Sequence, residues 1–245
     1  MRNMADPVII FENISVRYRV PHERVSGIKE YIIRRVQRRI QHDEFWALQG
    51  VSFEVPRGEI FGIIGRNGAG KSTSLKLIAR VLFPTQGRVY VKGALAPLLE
   101  IGAGFNAEMT GRENVFFNGA MLGHTRHEME ALLPSIIDFA EIGDFLDAPL
   151  RTYSSGMMAR LGFSVATCVR PNILLVDEVL AVGDVRFQEK CVRRMRSYHE
   201  QGMTIVIVSH SMDTIHNFCQ RALWLEGGKV KAIGDADEVA SQYLA

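Results

Sequence analysis

Apolar positions along this chain fall into short blocks whose spacing switches between strand-like and helix-like. Val8 to Tyr18, VIIFENISVRY, is dense in β-branched and aromatic residues and predicts a strand or hairpin arm. Over 26–41 the pattern changes. Ile28, Ile32, Val36 and Ile40 recur every four residues with Ile33 beside them, while Lys29, Arg34, Arg35, Arg38 and Arg39 fill much of the remainder. That spacing predicts an amphipathic basic helix.

From Phe45 to Ile64 two β-rich runs flank the turn PRGE, and the second leads into a glycine-rich loop. Leu75 to Leu82 reads as helix, stopped by FPTQG, and GRVYV as a short strand. Residues 94–110 are punctuated by Gly and Pro and read as irregular. Residues 111–169 carry mostly helical patterns, interrupted at Tyr153–Gly156. NILLVDE and TIVIVSH are unbroken apolar runs ending in polar residues, the pattern of parallel strands buried on both faces. RALWLEGGKVKAIG reads as a hairpin around Glu226–Gly228, and ADEVASQYL as a closing helix. Alternating strands and helices predict an α/β fold with a mostly parallel sheet.

The 245 residues, 47% hydrophobic and 23% charged, exclude a disordered chain and allow one large α/β domain. No apolar run approaches the ~18 residues of a membrane span, and MRNMADP lacks the apolar centre of a secretory signal. A cytoplasmic location is expected. Net charge is only +2, but residues 1–41 hold nine Lys/Arg against four Asp/Glu, so the basic excess is local. Cys168, Cys191 and Cys219 are far apart and form no CxxC pair, which predicts reduced, mostly buried thiols.

The strongest chemical signal is GRNGAGKS, Gly65 to Ser72. It matches GxxxxGK[ST], follows the strand EIFGII and opens a helix. Its glycines let the backbone N–H groups of Gly65, Asn67, Gly68, Ala69, Gly70, Lys71, Ser72 and Thr73 turn around phosphate oxygens, aided by the helix N-terminus. Lys71 can reach the β/γ phosphates and Ser72 can bind Mg²⁺. ILLVDE places Asp177 at the carboxyl end of a buried strand, positioned for Mg²⁺, with Glu178 next to it as the candidate general base. Alone, DE after an apolar run reads equally well as a solvated strand end. YSSGM, Tyr153 to Met157, on its own reads as a helix N-cap.

Taken in order, GRNGAGKS, YSSGM, ILLVDE, AVGD (Ala181 to Asp184) and Ser209–His210 resemble the nucleotide-binding domain of an ABC transporter over nearly the whole chain. The resemblance implies a phosphate-loop ATPase fold with a mostly parallel core sheet, an N-terminal antiparallel β subdomain and a helical signature subdomain near 111–169. All lie in a single 1–245 domain. It implies ATP and Mg²⁺ as cofactors and a head-to-tail homodimer, in which the phosphate loop of one chain faces the signature of the other. Ser154 and Gly156 match the Ser and second Gly of the family's LSGGQ. Ser155 stands in place of Gly and Met157 in place of Gln. Asp184 matches the aspartate of the loop crossing the dimer interface, His210 the switch histidine that contacts the γ-phosphate and orients Glu178. Tyr18 matches the aromatic that stacks on adenine, though an ordinary strand Tyr is the plainer reading of the residue alone. No Gln occupies the segment where the family senses the γ-phosphate, and Glu100 is the substitute taken as a Mg²⁺ or water contact.

LLEIGAGFNAEMTGRENV, YSSGMMARLGFSVAT and DEVLAVGD are further similar to ATPases that export O-antigen, capsule and teichoic acid. This implies a subunit at the cytoplasmic face of the bacterial inner membrane, paired with two copies of a separate permease and exporting a lipid-linked polysaccharide. Some O-antigen members carry a C-terminal carbohydrate-binding domain, and a chain ending at Ala245 is expected to be a member without it. The 26–41 helix is expected near the membrane surface, where its Arg and Lys can meet anionic lipid or pyrophosphate. A solvated helix covering the sheet edge is the simpler alternative. Three rivals stand beside this reading: an ABC ATPase for another cargo, a non-transport ABC ATPase acting on DNA or the ribosome, and a nucleotide binder without hydrolysis. No nucleic-acid partner is expected.

Overall fold

The computed structural model describes residues 6–21, 42–98, 104–177 and 183–245. The predicted basic helix at 26–41, and the candidate residues Glu100 and Glu178, lie outside the described residues.

Two long strands, β1 (Pro7–Pro21) and β2 (His42–Pro56), pair antiparallel, and β4 (Gln86–Val91) adds to the other edge of β1. Their register runs to Pro21↔His42, so the predicted basic segment is spliced between two adjoining strand ends. The second sheet has the order β5-β6-β7-β3-β8-β9 among the described residues. Here β3 is Ile60–Ile64, β5 Leu95–Leu98, β6 Ile173–Asp177, β7 Thr204–Val208, β8 Arg221–Glu226 and β9 Lys229–Asp235. All its pairings are parallel except β8–β9. β3 and β7 are buried at every position, as their continuous apolar runs require.

The strand Leu95–Leu98 corrects the irregular reading of 94–110. Its four residues include Pro97, which a central strand would not accept. At the sheet's edge, paired on one side to β6, the missing N–H is tolerated. Similarly, the helix expected over Leu75–Leu82 is α1, Lys71–Ile78, and has ended before Leu82; Arg80 there takes φ 60.

The two sheets meet around α1. Phe11 of β1, Phe53 of β2 and Phe61 of β3 stack in sequence, with centroids 4.3 and 5.5 Å apart. The helical region comprises α2 (Gly111–Met121), α3 (Arg126–Ala140) and α4 (Ser155–Ala166). Thr110 with Glu113, and Thr125 with Glu128, close capping boxes at the first two. A separate core of Val115, Met129, Ile136, Leu146, Leu150 and Leu161 fills it. Tyr153 seals the turn before α4, its hydroxyl donating to the Phe145 carbonyl at 2.6 Å.

After β6 comes α5 (Val185–Glu200), then α6 (Met212–Phe218) after β7, and α7 (Ala236–Leu244) ends the chain. Phe139 of α3, Phe163 of α4 and Phe187 of α5 form an aromatic trio, centroids 5.5 to 6.2 Å apart, that fastens the helical region to the central sheet. Among the described residues no helix is long and apolar enough to cross a membrane.

Candidate functional site

Three neighbouring strands of the central sheet, β6, β7 and β3, deliver their carboxyl ends to one place. Asp177 ends β6 opposite Val208 of β7, Ser209 and His210 follow β7, and Gly65 follows β3. This is where open α/β sheets bind ligands.

The loop from Gly65 to Gly70 is glycine-built for two separate steric reasons. Gly65 has φ 147, and a Cβ there would lie 2.3 Å from the Leu225 carbonyl oxygen. Gly70 has φ 108, and a Cβ there would lie 2.7 Å from the Ala47 carbonyl oxygen. Both positions demand backbone geometry that L side chains avoid and sit pressed against neighbouring main chain. The turn hands over to α1, whose N-cap is Gly70 itself. Lys71 is 7% exposed, and its Nζ donates to the Gly65 carbonyl at 2.6 Å and the Arg66 carbonyl at 3.2 Å. A buried ammonium held inside the loop is a positive charge aimed at whatever the loop encloses.

The loop walls a cleft of about 480 Å³ lined by Asn67, Gly68, Gly70, Lys71, Ser72, Thr73 and Asp177 on one side and Tyr18, Phe45 and Ala47 on the other. Tyr18 and Phe45 are direct cross-strand partners, which puts their side chains on one face of the β1–β2 ribbon. At 36% and 53% exposure they form an aromatic shelf beside the phosphate loop. Phe45 and Ala47 are absent from the site read from sequence. Tyr18 and Phe45 are separated by the basic insertion, so no hairpin spacing exposed their pairing.

Ser72 and Asp177 reach this cleft together, a hydroxyl and a carboxylate beside the buried Lys71. Hard oxygen donors of this kind suit Mg²⁺, which uses one or two carboxylates plus ligand phosphates rather than an all-protein cage. Among the described residues no cluster of three or more His, Cys, Asp or Glu is placed to hold a metal alone.

The signature residues are elsewhere. Ser154, Ser155 and Gly156 line a second cleft of about 640 Å³ with Arg160, Gly183 and Asp184. Ser154 is the N-cap of α4, its Oγ accepting from Met157 N at 3.1 Å. The hydroxyl proton is not used by that bond and can be donated to a ligand. Asp184 caps α5 by accepting from Phe187 N at 2.9 Å. It is also paired with Arg160, which reaches Glu141 at 3.1 Å on its other side. The Phe187 amide, opposed by desolvation and seconded by the Arg160 guanidinium, holds the Asp184 carboxyl below the usual range. His210 opens onto a third depression, between α5 and α6, with Val176, Val185, Gln188, Ser209 and Ser211. Within one chain the structure therefore joins Tyr18 and 67–73 to Asp177, and Ser154–Gly156 to Asp184, but does not join the two sets.

A glycine-turned loop between a buried strand and a helix, a buried lysine inside it and a carboxylate on the next strand but one define a phosphate-loop nucleotide-binding protein. A family model described as ABC transporter matches residues 48–181. The chain belongs to the ABC transporter family and is an ATP-binding ATPase. It is 45% identical over 240 residues, 97% of this chain and 98% of the relative, to the O-antigen export system ATP-binding protein RfbB of Klebsiella pneumoniae. It is 42% identical over 235 residues to the teichoic acids export ATP-binding protein TagH of Bacillus cereus, covering 96% of this chain and 42% of that one. Among solved structures, a dimeric post-hydrolysis ATP-binding cassette bound to ADP and phosphate aligns with TM-score 0.74 at 21% identity, over 93% of this chain and 98% of that one. That likeness supports the fold.

Proposed function

We propose that this chain is the ATPase subunit of an exporter of lipid-linked polysaccharide, working as a homodimer against two copies of a separate permease at the cytoplasmic face of the inner membrane. One observation carries the mechanism: the phosphate-loop cleft and the signature cleft are each built in the chain but stand apart. Two chains arranged head to tail bring the signature of one onto the nucleotide of the other. The solved cassette whose description is dimeric and ADP-bound supports this reading. The cargo follows the relatives, whose names assign them to O-antigen and teichoic acid export.

In this reading ATP lies with its base on Tyr18 and Phe45 and its phosphates in the loop of Gly65–Thr73. Lys71 exchanges its two carbonyl contacts for phosphate oxygens. Ser72 and Asp177 hold Mg²⁺, which when bound neutralises phosphate charge. Glu178, one residue past Asp177, polarises the attacking water, and His210 contacts the γ-phosphate and orients Glu178. Ser154 Oγ and the Gly156 N–H of the second chain close on the γ-phosphate. Positioning and charge neutralisation are what phosphoryl transfer asks of a protein. Glu100 stays a proposed Mg²⁺ or water contact, and the basic segment 26–41 a proposed contact with anionic lipid or pyrophosphate.

Deleting the gene and assaying surface polysaccharide together with cytoplasmic lipid-linked polymer tests the cargo. Surface loss with internal accumulation is expected; an unchanged surface without accumulation overturns the assignment. Glu178→Gln tests the chemistry. It is expected to retain ATP binding while losing turnover by at least about a hundredfold, and surviving turnover would remove Glu178 from the role of base.

A further inference from the structure

A cavity of about 460 Å³ lies between the segment that follows α4, the C-terminal part of α5 and the end of α3. Four cations line it, Arg170, Lys190, Arg193 and Arg194, with Ser197, Tyr198 and Cys168. No carboxylate is in that lining among the described residues. The cavity is remote from the ATP cleft. Arg170 lies just before Ile173, the amino end of β6, whereas Asp177 at the other end of that strand faces the phosphate loop.

Two of these cations, Arg194 and Lys190, are held in place by their neighbours. Arg194 lies over Phe139, its guanidinium carbon 3.5 Å from the ring centroid, and donates to Thr167 Oγ1 at 3.2 Å. Lys190 Nζ sits 4.7 Å from the same ring and donates to the Phe139 carbonyl at 3.0 Å. Tyr198 is anchored through its hydroxyl to the Thr167 carbonyl. Two of the four cations already have carboxylate partners. Glu141 takes Lys190 and is shared with Arg160, Glu189 lies 3.7 Å from Arg193, and Asp138 favours the charged Arg194 from a distance. Burial nonetheless holds the Arg194 pKa below its usual value. With no carboxylate in the lining, the excess of guanidinium groups at this opening favours an anion, and arginine forks match phosphate oxygens two at a time.

We propose that this cavity is a second anion site, taking a diphosphate or similar phosphate-bearing group, separate from the ATP cleft. The site touches α3, the segment leading from α4 to β6, and α5 at once. Because α5 is capped by Asp184 in the signature cleft and lines the cavity from Lys190 to Tyr198, an occupant there braces the helix that carries Asp184.

The test is calorimetric titration of the purified chain with inorganic pyrophosphate. The ATP cleft is first saturated with a non-hydrolysable ATP analogue, with Mg²⁺ in excess in both solutions. Saturable binding of one ion per chain is expected. Arg170→Gln and Arg193→Gln, both at exposed positions, are each expected to weaken it about tenfold, and the double variant to abolish it. Arg194→Gln is expected to do the same; should it fail to fold, the two exposed variants still decide. Absence of saturable binding, or binding that the Arg170 and Arg193 substitutions leave unchanged, overturns the proposal. A parallel titration with uridine diphosphate separates the sources. Tighter pyrophosphate assigns a free anion and tighter uridine diphosphate a nucleotide-borne one, and either result upholds the site.

Discussion

The phosphate loop and the signature turn are both glycine-containing lead-ins to a helix, yet they are held by different forces. The phosphate loop is fixed by its surroundings: the main chain of Ala47 and Leu225 presses on Gly70 and Gly65, and Lys71 is buried inside the turn. The signature turn is fixed by its own chain. Ser154 caps the helix it opens, and Gly156 lies within ordinary helix where a Cβ would meet nothing closer than Ser154 Oγ at 3.7 Å. Arg160, spread over two carboxylates and the Phe187 ring, ties its exposed edge to the neighbouring helices, while Leu161 and Phe163 pack the helix behind it into the cores. A site that must hold ATP in one chain is built into the core. The signature turn, which meets a second chain in the proposed homodimer, lies at the surface with Ser154 and Ser155 exposed.

The glycines give the sharpest way to break that contrast. Gly65→Ala is expected to strain the backbone by about 1–3 kcal/mol before the clash with Leu225 is counted. Nucleotide binding should fall more than about a hundredfold, with melting temperature lowered. Gly156→Ala should leave melting temperature unchanged or raised, because alanine is favoured over glycine in helix by up to about 1 kcal/mol. It should leave nucleotide affinity intact yet reduce turnover at least about tenfold. Thermal melts, nucleotide titration and an ATPase assay on both variants check this. Full activity in Gly156→Ala would sever the signature from catalysis, and normal binding by Gly65→Ala would show that the loop yields.

Much of this asymmetry was legible in the sequence, for a physical reason. GRNGAGKS and ILLVDE are each contiguous, and each sits where an unbroken apolar run forces a buried parallel strand to end. The chain itself therefore places the loop and Asp177 at the sheet's carboxyl edge. Phe45 was not legible, because its partnership with Tyr18 is a cross-strand register spanning the inserted segment. Nor was the clasp of Arg160 on Asp184 and Glu141, which needs the relative placement of three helices that only tertiary packing sets. Leu95–Leu98 was hidden by Pro97, a residue that argues against a strand everywhere except at an edge.

Phe45→Ala sharpens the comparison on the core side. If the base rests on both aromatics, losing one should raise the dissociation constant for ATP roughly tenfold, the scale of removing one stacking partner from a base. Turnover at saturating ATP should be nearly unchanged. Because Phe45 is half exposed, stability should move little. Tyr18→Ala should act alike, and the double variant should lose less than the sum, since one shelf is being dismantled twice. An unchanged ATP affinity in Phe45→Ala would return the shelf to Tyr18 alone.

Arg160→Gln probes the surface side. Its ion pairs are short but near solvent, so the expected loss of stability is about 1 kcal/mol, shrinking as salt is raised to about 1 M. Melts at low and high ionic strength check this. A loss that ignores salt would assign the anchoring to packing against Phe187 and not to charge.

The smallest effect concerns Asp184. Its carboxyl is held below the ordinary value of 3.8, first by the Phe187 amide and then by Arg160. A depressed folded-state pKa means that the ionised form is favoured by folding. The contribution is complete above the unfolded value and disappears as pH falls through the acid range below it. Asp184→Asn keeps a side-chain oxygen for the cap while removing the charge. Wild type should therefore melt slightly above this variant at neutral pH, and the gap should close on acidification toward and below pH 3.8. Raising salt at neutral pH should narrow the same gap through the Arg160 pair. The amide bond to Phe187, being local, should survive that salt increase. A gap that widens in acid would reverse the sign and place the carboxyl's stabilising partner somewhere other than these two groups.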